Sequence, residues 1–560
     1  MTRFFSLRRS VLSALFGALL ITTVDSSASA VAAPAPAHRP KLIVFIAIDG
    51  LPQRQVLQYR DQLAPDGFNR FLERGRWFAD AHYAHAYTVT APGQATMLTG
   101  AYPHRSGIIG NEWRDPTTGA REYCTGDIRF TYIGHRTHPL DGTSPKNLRV
   151  ETVGDVLRRA SPLSKVIGIS GKDRGAILPA GKTGTAYMYM ASSGQFASTT
   201  YYMPAHPAWV NAFNAGRPAD RYFRQEWKAL LPEAAYNRSL PDNQPWFGPA
   251  GGSLPSRFGA PDDEAPGLNF YASLLRGPFA DVLTLDFARA AITGEQLGQD
   301  AAPDILSISL SGHDYVNHAY SAESRLSHDH LLQLDRLLQG FFHDLDTLVG
   351  KDRYVLALTA DHGFMPSVEV SAQQGLPSGR IDSTQTLVNL NKGLESRFGA
   401  GQWIMGYSGA SLMLDHPLLA QKGHAASAVA DAARALLLAE PGFAAAYTRS
   451  ELLSGSRAAD PLFAALEKSW HPGVSGDVQF ALKPNWVLGL RATGTTHGSP
   501  YDYDTHVPML FYGPPWIEKG RVDQRVEVVD MAPTLAALLG IAPPAAAEGS
   551  ALLLVNNRRP

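Results

Sequence analysis

The sequence contains a single cysteine, Cys124, among its 560 residues. One thiol cannot form an intrachain disulfide, and clusters of thiolates that bind metal ions are excluded as well. Any metal ion must therefore be held by histidine and carboxylate side chains. The chain has an ample supply of both, with 18 histidines and 51 acidic residues.

The chain also lacks an excess of charge of either sign. Its 50 Lys and Arg residues nearly balance its 51 Asp and Glu residues. Without a basic surplus there is no electrostatic argument for a nucleic-acid partner, so none is expected. A charged small-molecule substrate must then be met by a few local groups rather than by the field of the whole protein.

Long hydrophobic runs are scarce, and the one at the N-terminus is short. Residues 11–24 are apolar, follow three arginines and precede a series of small residues. This order predicts a secretory signal peptide over residues 1–33 and a Pro/Ala-rich tether over 34–40. A membrane anchor is the alternative, but the run is shorter than the about 20 residues that span a bilayer. We expect a periplasmic or secreted protein with no stable membrane anchor after cleavage.

What the chain does have is three near-continuous apolar runs that each lead into an aspartate. The runs 41–48, 305–310 and 354–359 precede Asp49, Asp314 and Asp361. Unbroken hydrophobicity is typical of parallel strands covered on both faces, and ligands bind beyond the carboxyl ends of such strands. A single aspartate here is usually a turn or cap residue. Three of them predict an α/β fold, with a central, mostly parallel sheet sandwiched by helices, and one shared site.

Histidines near these aspartates suggest two metal sites. Asp314 and His318 are one helical turn apart, Asp361 and His362 are neighbours, and a Gly-bounded loop carries His497. The first predicted ligand set is Asp49, Asp361 and His362, and the second is Asp314, His318 and His497. Each set offers three N/O ligands and leaves a position open, as catalytic zinc sites do. A protein that uses zinc only for stability would instead have closed four-ligand sites.

The segment 88–100 is where the sequence predicts that an anionic ligand binds. It begins as a β-type run and becomes helical at Pro92, whose missing N–H suits the first helical position. Thr90 then lies just ahead of a helix N-terminus, where free N–H groups and the helix dipole favour an anionic ligand. The alternative is that Thr88 or Thr90 is only an N-cap.

Three further residues are candidates for contacting an anionic ligand. Lys172 and Arg174 are two residues apart, so on an extended segment both side chains project to the same side. Together they would face one dianion with a point charge and a planar guanidinium. Asn111 offers an amide donor for another oxygen. The alternatives are a solvated basic turn for the first two and a plain turn residue for Asn111.

The chain resembles the alkaline phosphatase superfamily, most closely the bacterial alkaline phosphatases with a threonine nucleophile, the phosphate-irrepressible type. These enzymes are related to nucleotide pyrophosphatase/phosphodiesterases. The matching segments follow the family's order and are AIDG at 47–50, TVTA at 88–91, GIIGNEW at 107–113, SGKDR at 170–174, DYVNH at 314–318, ADHG at 360–363 and THG at 496–498. The stretch 529–541 is similar to the superfamily's closing helix.

This resemblance implies two Zn²⁺ ions, one in each predicted ligand set, with Thr90 bridging them as the nucleophile that becomes phosphorylated. It also implies that Asn111, Lys172 and Arg174 contact the phosphate. The expected activity is that of a zinc-dependent alkaline phosphatase acting on small-molecule phosphate monoesters, and we expect a monomer. The alternative is a phosphodiesterase or nucleotide pyrophosphatase with the same zinc pair and threonine. An arylsulfatase is disfavoured, because that family derives its nucleophile from Cys or Ser in a different motif.

The predicted organisation is a catalytic core interrupted twice. Two stretches rich in aromatic residues, Pro, Gly or Ala lack the regular α/β pattern, and we interpret them as cap or lid segments near the active-site mouth. The core is predicted at 41–182, 301–365 and 491–560, the last with a C-terminal helix, and the insertions at 183–300 and 366–490.

Overall fold

The computed structural model describes residues 39–248, 252–489 and 493–555. The predicted signal peptide and most of the predicted tether lie outside the described residues, so both stay predictions.

The strands of the described residues are β1 Leu42–Ile48, β2 Arg76–His82, β3 Glu112–Arg114, β4 Arg121–Tyr123, β5 Val166–Ser170, β6 Thr185–Met190, β7 Gln195–Ala197, β8 Glu226–Trp227, β9 Ser256–Arg257, β10 Asp304–Leu310, β11 Tyr354–Thr359, β12 Gly379–Asp382, β13 Ile404–Ser408, β14 Ser411–Leu414, β15 Phe443–Thr448, β16 Val478–Leu482, β17 Trp486–Gly489, β18 Met509–Tyr512 and β19 Gly520–Glu527.

The helices are α1 Gln53–Gln58, α2 Phe68–Arg74, α3 Thr90–Thr99, α4 Pro103–Ser106, α5 Val153–Ala160, α6 Asp173–Ala180, α7 Ala208–Ala215, α8 Leu268–Ser273, α9 Pro278–Gly294, α10 Gly312–Tyr320, α11 Arg325–Leu345, α12 Val368–Gln373, α13 Ser383–Phe398, α14 His416–Lys422, α15 Ala426–Ala439, α16 Arg449–Ser454, α17 Pro461–Ser469, α18 Asp502–Thr505 and α19 Met531–Leu539. Within the described ranges no helix combines the length and the apolar character that crossing a membrane requires.

A central sheet organises the fold. Among the described residues it has nine strands in the order β19-β2-β18-β11-β1-β10-β5-β6-β7. All pairings from β11 through β1, β10 and β5 to β6 are parallel, whereas β18 and β7 run antiparallel to their neighbours. Every residue of the middle strand β1 is buried, as its unbroken apolar sequence predicts. The predicted α/β fold with a mostly parallel sheet is confirmed.

Helices that follow the strands cover this sheet. Helix α6 packs against β5, β6 and β10, helix α9 against β5 and β10, and helix α2 against β2 and β18. The apolar strands and helices form one large hydrophobic core. Burial on this scale gives the strand ends a rigid frame, which a site built from several separate loops requires.

The two predicted insertions differ in structure. Strands β6 and β7 fall inside the segment 183–300 but are part of the central sheet, because β6 pairs in parallel with β5. The segment 366–490 instead contains a separate antiparallel sheet in the order β13-β14-β16-β15 and a hydrophobic core of its own. The cap role of both segments, and the boundaries of the predicted parts, stay predictions.

The second core makes a stability prediction. Leu394 on α13 is fully buried in it, so Leu394→Ala should destabilise this segment by about 2–5 kcal/mol. Backbone amides of β14 and β16 should then exchange with solvent at least about tenfold faster. Val388→Ala is the matched control, since this residue of the same helix is 53% exposed. Equal exchange rates in both variants would contradict a separate packed core.

Candidate active site

The three strands that precede the predicted aspartates are neighbours in the sheet. Strand β1 lies between β10 and β11, and Ile48 at its end pairs with Leu310 at the end of β10. The chain leaves these three ends at one edge of the sheet. Asp49 follows β1 directly, Asp361 lies two residues after β11, and Asp314 lies four residues after β10, at the start of α10. All three carboxylates are buried. The sheet therefore brings together residues that are far apart in the sequence.

The first predicted ligand set forms one compact group. The ligand atoms of Asp49, Asp361 and His362 all lie within 4.8 Å of one another. His362 Nε2 is 3.4 Å from Asp49 Oδ1, while its Nδ1 lies 2.8 Å from the carbonyl oxygen of Gly363. Backbone N–H of Gly50 donates to Asp361 Oδ1 at 3.1 Å. One ring nitrogen is thus engaged by the backbone, which leaves the other facing the carboxylates.

The second set forms a similar group. The ligand atoms of Asp314, His318 and His497 also lie within 4.8 Å of one another. Asp314 and His318 are on one face of α10, as predicted, with Nε2 of His318 at 3.3 Å from Asp314 Oδ1. In His318 the Nδ1 atom lies 2.9 Å from the carbonyl of Thr495, and in His497 it lies 2.9 Å from that of Thr88. A backbone partner on one ring nitrogen orients a histidine for metal binding through the other.

Lys172 and a pair of stacked rings join the two groups. The ammonium of Lys172 is 2.7 Å from Asp49 Oδ2 and 2.5 Å from Asp314 Oδ2. The imidazoles of His362 and His497 are stacked, with 3.5 Å between ring centroids and 11° between planes. The two groups therefore form one continuous polar site in the interior of the protein.

The buried charged groups of this site shift one another's pKa values. Burial and the neighbouring Asp49 raise the pKa of Asp361 to about 7. Burial of His362 opposes its protonation, but Asp361 and Asp49 outweigh that effect and raise its pKa to about 9. For Asp314 burial raises the pKa, but Lys172 and the nearby imidazoles prevail and hold it well below its usual range. Protons and one ammonium thus compensate the carboxylates.

The donor set fits metal ions. Asp49 Oδ1, Asp314 Oδ1 and His362 Nε2 are buried without a hydrogen-bond partner. Buried polar atoms almost always have a hydrogen-bond partner, and burying a carboxylate oxygen without one costs free energy. Imidazole and carboxylate are also the ligands that zinc and related divalent ions prefer. Each of the two groups can therefore hold a cation.

Thr90 is the first residue of α3, and contacts on both sides tie this helix start to the two groups. Thr88 accepts from His497 through its carbonyl, as described, and its hydroxyl donates to the carbonyl of Ser499 at 2.8 Å. One turn further on, Gln94 Nε2 donates to Asp361 Oδ2 at 3.2 Å. Gly93 packs so closely that an added Cβ would lie 2.0 Å from the Asp361 carbonyl oxygen. The start of the helix is thereby fixed beside both candidate cation sites.

Two local expectations for this region are wrong. Helix α3 begins at Thr90, two residues before Pro92, so Pro92 is not the first helical residue. Thr90 is accordingly the first residue of the helix and does not lie ahead of it. The N-cap residue is Val89, whose side chain cannot cap, so the alternative that Thr88 or Thr90 is only an N-cap does not hold either. A hydrogen bond from Ala91 N–H to the side chain of Asn111 satisfies one backbone donor of the first turn instead.

The extended conformation predicted for residues 172–174 is also wrong. Lys172 is the N-cap residue of α6, and Arg174 is already in its first turn. Lys172 reaches the two carboxylates, whereas Arg174 donates to the Tyr123 hydroxyl at 3.1 Å. The Tyr123 hydroxyl in turn donates to Asp173 Oδ1 at 2.6 Å. Lys172 is nevertheless buried and the Arg174 side chain is only 18% exposed, so the solvated-turn alternative does not hold.

Asn111 has one fixed contact. Its Oδ1 accepts from Ala91 N–H at 2.9 Å, next to Thr90. This bond sets the orientation of the amide and leaves the two hydrogens on Nδ2 as donors for a ligand.

Asp504 was not identified from the sequence. It is fully buried, and its Oδ2 accepts from Gly498 N–H, Ser499 N–H and the Ser499 hydroxyl at 3.0, 2.9 and 2.7 Å. Its carbonyl accepts from Gly363 N–H at 2.7 Å. Asp504 thus connects the loop of His497 to the turn after His362. Nothing in the spacing of the sequence marks it, because these contacts depend on how separate loops meet.

Comparisons with known proteins agree with this geometry. Residues 43–504 match the family described as type I phosphodiesterase/nucleotide pyrophosphatase. The chain is 33% identical over 548 residues to alkaline phosphatase PafA of Elizabethkingia meningoseptica, which covers 97% of this chain and 99% of that protein. It is 34% identical over 518 residues to a protein of Myroides odoratus named a calcium-transporting ATPase, covering 91% and 94%.

Structural similarity leads to the same family. A crystal structure of wild-type alkaline phosphatase PafA superposes with a TM-score of 0.85 at 32% identity, covering 92% of this chain and 98% of that one. The match of the family to most of the chain and the similarity to full-length relatives are sufficient for an assignment. The chain belongs to the type I phosphodiesterase/nucleotide pyrophosphatase family.

Proposed function

We propose that the protein is an alkaline phosphatase that hydrolyses phosphate monoesters through a covalent phospho-Thr90 intermediate. The observation that carries this proposal is the pair of carboxylate–histidine groups, bridged by Lys172, beside the helix start that presents Thr90. Relatives named alkaline phosphatases, which match nearly the whole chain, support it.

Two Zn²⁺ ions are the proposed cofactors. Asp49, Asp361 and His362 would hold one, and Asp314, His318 and His497 the other. When bound, such ions act as Lewis acids and make a hydroxyl group a competent nucleophile at neutral pH. The buried carboxylate and imidazole atoms without hydrogen bonds are the structural reason to expect them.

In the proposed reaction the Thr90 hydroxyl attacks phosphorus and forms a new P–O bond while the bond to the leaving alcohol breaks. The hydroxyl gives up its proton in this step, and the leaving oxygen takes up a proton as it departs. A water molecule then attacks phospho-Thr90, which releases inorganic phosphate and restores the hydroxyl. The dipole of α3, whose first residue is Thr90, stabilises the negative charge of the phosphoryl group.

Asn111, Arg174 and Lys172 are the proposed partners of the remaining phosphoryl oxygens. Asn111 is held by Ala91, the residue after Thr90, so its amide donors lie close to the nucleophile. Arg174 is positioned by Tyr123 and Asp173. The Lys172 ammonium neutralises two carboxylates and lies within the site that the substrate must enter.

The second candidate function is hydrolysis of phosphodiesters, which the family description favours. A monoester presents one more anionic oxygen than a diester. The buried Lys172 and the largely buried Arg174, in addition to an amide donor, suit that extra charge, because charge-assisted hydrogen bonds are about twice as strong as neutral ones. This is the reason to prefer monoesters. Location in the periplasm or outside the cell, and a monomeric state, stay predictions from the sequence.

A nucleophile variant tests the covalent mechanism. Thr90→Ala should lower kcat by more than about 1000-fold and abolish phosphoenzyme trapped by acid quenching, because no hydroxyl remains to attack. Thr90→Ser keeps the hydroxyl and should still form phosphoenzyme, which makes it the matched control. Zinc content by atomic emission should stay near that of the wild type in both. Retained phosphoenzyme in Thr90→Ala would exclude Thr90 as the nucleophile.

A second test concerns substrate class. Replacing both cationic side chains, in the double variant Lys172→Ala/Arg174→Ala, should lower kcat/KM for an aryl phosphate monoester. The loss should be at least about tenfold larger than for the matched diester. The reason is that the lost contacts serve the extra anionic oxygen. Arg121→Ala, on an exposed strand, is the control and should change neither rate. Equal losses for both substrates, or a wild type that prefers the diester, would argue for the alternative function.

The stabilisation of the protein by bound zinc is predicted to depend on pH. In the protein without metal ions the pKa of Asp361 is raised to about 7 and that of His362 to about 9. Both groups bind more protons in the folded than in the unfolded state, so their contribution to stability is lost as pH rises through these values. The gain in Tm on adding zinc to the chelated protein should therefore be larger at pH 8 than at pH 5. A gain that shrinks over this range, or activity that survives chelation, would contradict the assignment.

A further inference from the structure

A third group of potential ligands lies away from the active site, at the end of β2. Asp80 and His82 are alternate residues of this strand, so their side chains project from the same face. His506 faces His82 across an isolated antiparallel bridge. The backbone hydrogen bonds lie on either side of the two histidines, so they form a non-hydrogen-bonded pair, in which side chains are closer than in a hydrogen-bonded pair. One carboxylate oxygen and two ring nitrogens lie within 4.8 Å of one another.

Each imidazole of this group has an oxygen partner from outside the group on one nitrogen, and the other nitrogen of His82 contacts Asp80. His82 Nδ1 lies 3.0 Å from Thr505 Oγ1, and its Nε2 lies 2.7 Å from Asp80 Oδ1. His506 Nε2 lies 2.9 Å from the Ala79 carbonyl, which leaves Nδ1 as its ligand atom. Oxygen partners on the far nitrogen fix tautomer and ring orientation in metal-binding histidines.

The rings of His82 and His506 are stacked with 4.4 Å between centroids, an arrangement also seen for His362 and His497 in the active site.

We propose that Asp80, His82 and His506 bind one divalent transition-metal ion in a third site, distinct from the two active-site groups. Water can occupy the remaining coordination position, because the Asp80 side chain is 40% exposed. Two imidazoles and one carboxylate suit zinc and its neighbours rather than Ca²⁺ or Mg²⁺, which take oxygen ligands. The ion ties the end of β2 to the segment that enters β18. The chain after His82 leads to Thr90, and Asp504 lies two residues before His506, so the ion braces two segments that shape the active site.

The test is zinc stoichiometry of the purified full chain, loaded with Zn²⁺, desalted and measured by atomic emission. His506→Gln and Asp80→Asn should each contain one zinc fewer per chain than the wild type. The comparison is a difference, so it is independent of how the active site is occupied. His416→Gln is the matched control, because His416 also contacts a carboxylate, Asp477, at 3.0 Å but belongs to no three-residue group among the described residues.

Equal zinc content in the wild type and both variants would overturn the proposal. A loss of the same size in His416→Gln would overturn it too, since the zinc would then be bound nonspecifically at surface histidines. If the variants do not fold, anomalous diffraction at the zinc edge from wild-type crystals decides. A peak within bonding distance of Asp80, His82 and His506 is expected, and its absence from zinc-soaked crystals would refute the site.

Discussion

The active site is governed by the need to compensate three carboxylates that are buried together. Asp49, Asp314 and Asp361 are each at most 2% exposed, and like charges in a low-dielectric interior repel strongly. Lys172 offsets two of them, and the third has its pKa raised to about 7. Protons on Asp361 and His362 supply the rest of the compensation near neutral pH, and the proposed divalent cations would replace these protons. The proposed chemistry follows from the same charges, because ions that balance carboxylates also activate a hydroxyl.

The sheet and α3 provide the geometry for this compensation. Adjacent parallel strands β11, β1 and β10 bring three aspartates to one edge, and the large apolar core behind them keeps that edge rigid. The histidine loops are less constrained by the sheet, and Asp504 organises them through hydrogen bonds to two separate loops. A site with its supporting contacts on rigid elements holds reacting groups within the small tolerances that catalysis needs.

Much of the fold and of the candidate site was predictable. Unbroken apolar runs identified the buried strands, and the aspartates after them lie together because parallel strands share an edge. Both predicted ligand sets are groups that the structure brings together. The errors concern local conformation: α3 begins at Thr90 and α6 begins at Asp173. Helix ends depend on which partners satisfy the first N–H groups, and for α3 one partner is Asn111, twenty residues further along the chain.

The sequence by itself determined the hydrophobic pattern of the buried strands and the identity of the residues that can bind metal ions. It also excluded an intrachain disulfide and thiolate clusters. These conclusions follow from local pattern and from composition, which need no knowledge of distant neighbours. Only the tertiary structure decided that Lys172 bridges two aspartates, that Asp504 supports the His497 loop and that His506 meets His82. The contacts of Lys172 and of His82 join segments more than a hundred residues apart, and those of Asp504 depend on how a loop folds back. Residue spacing carries no information about which loops meet.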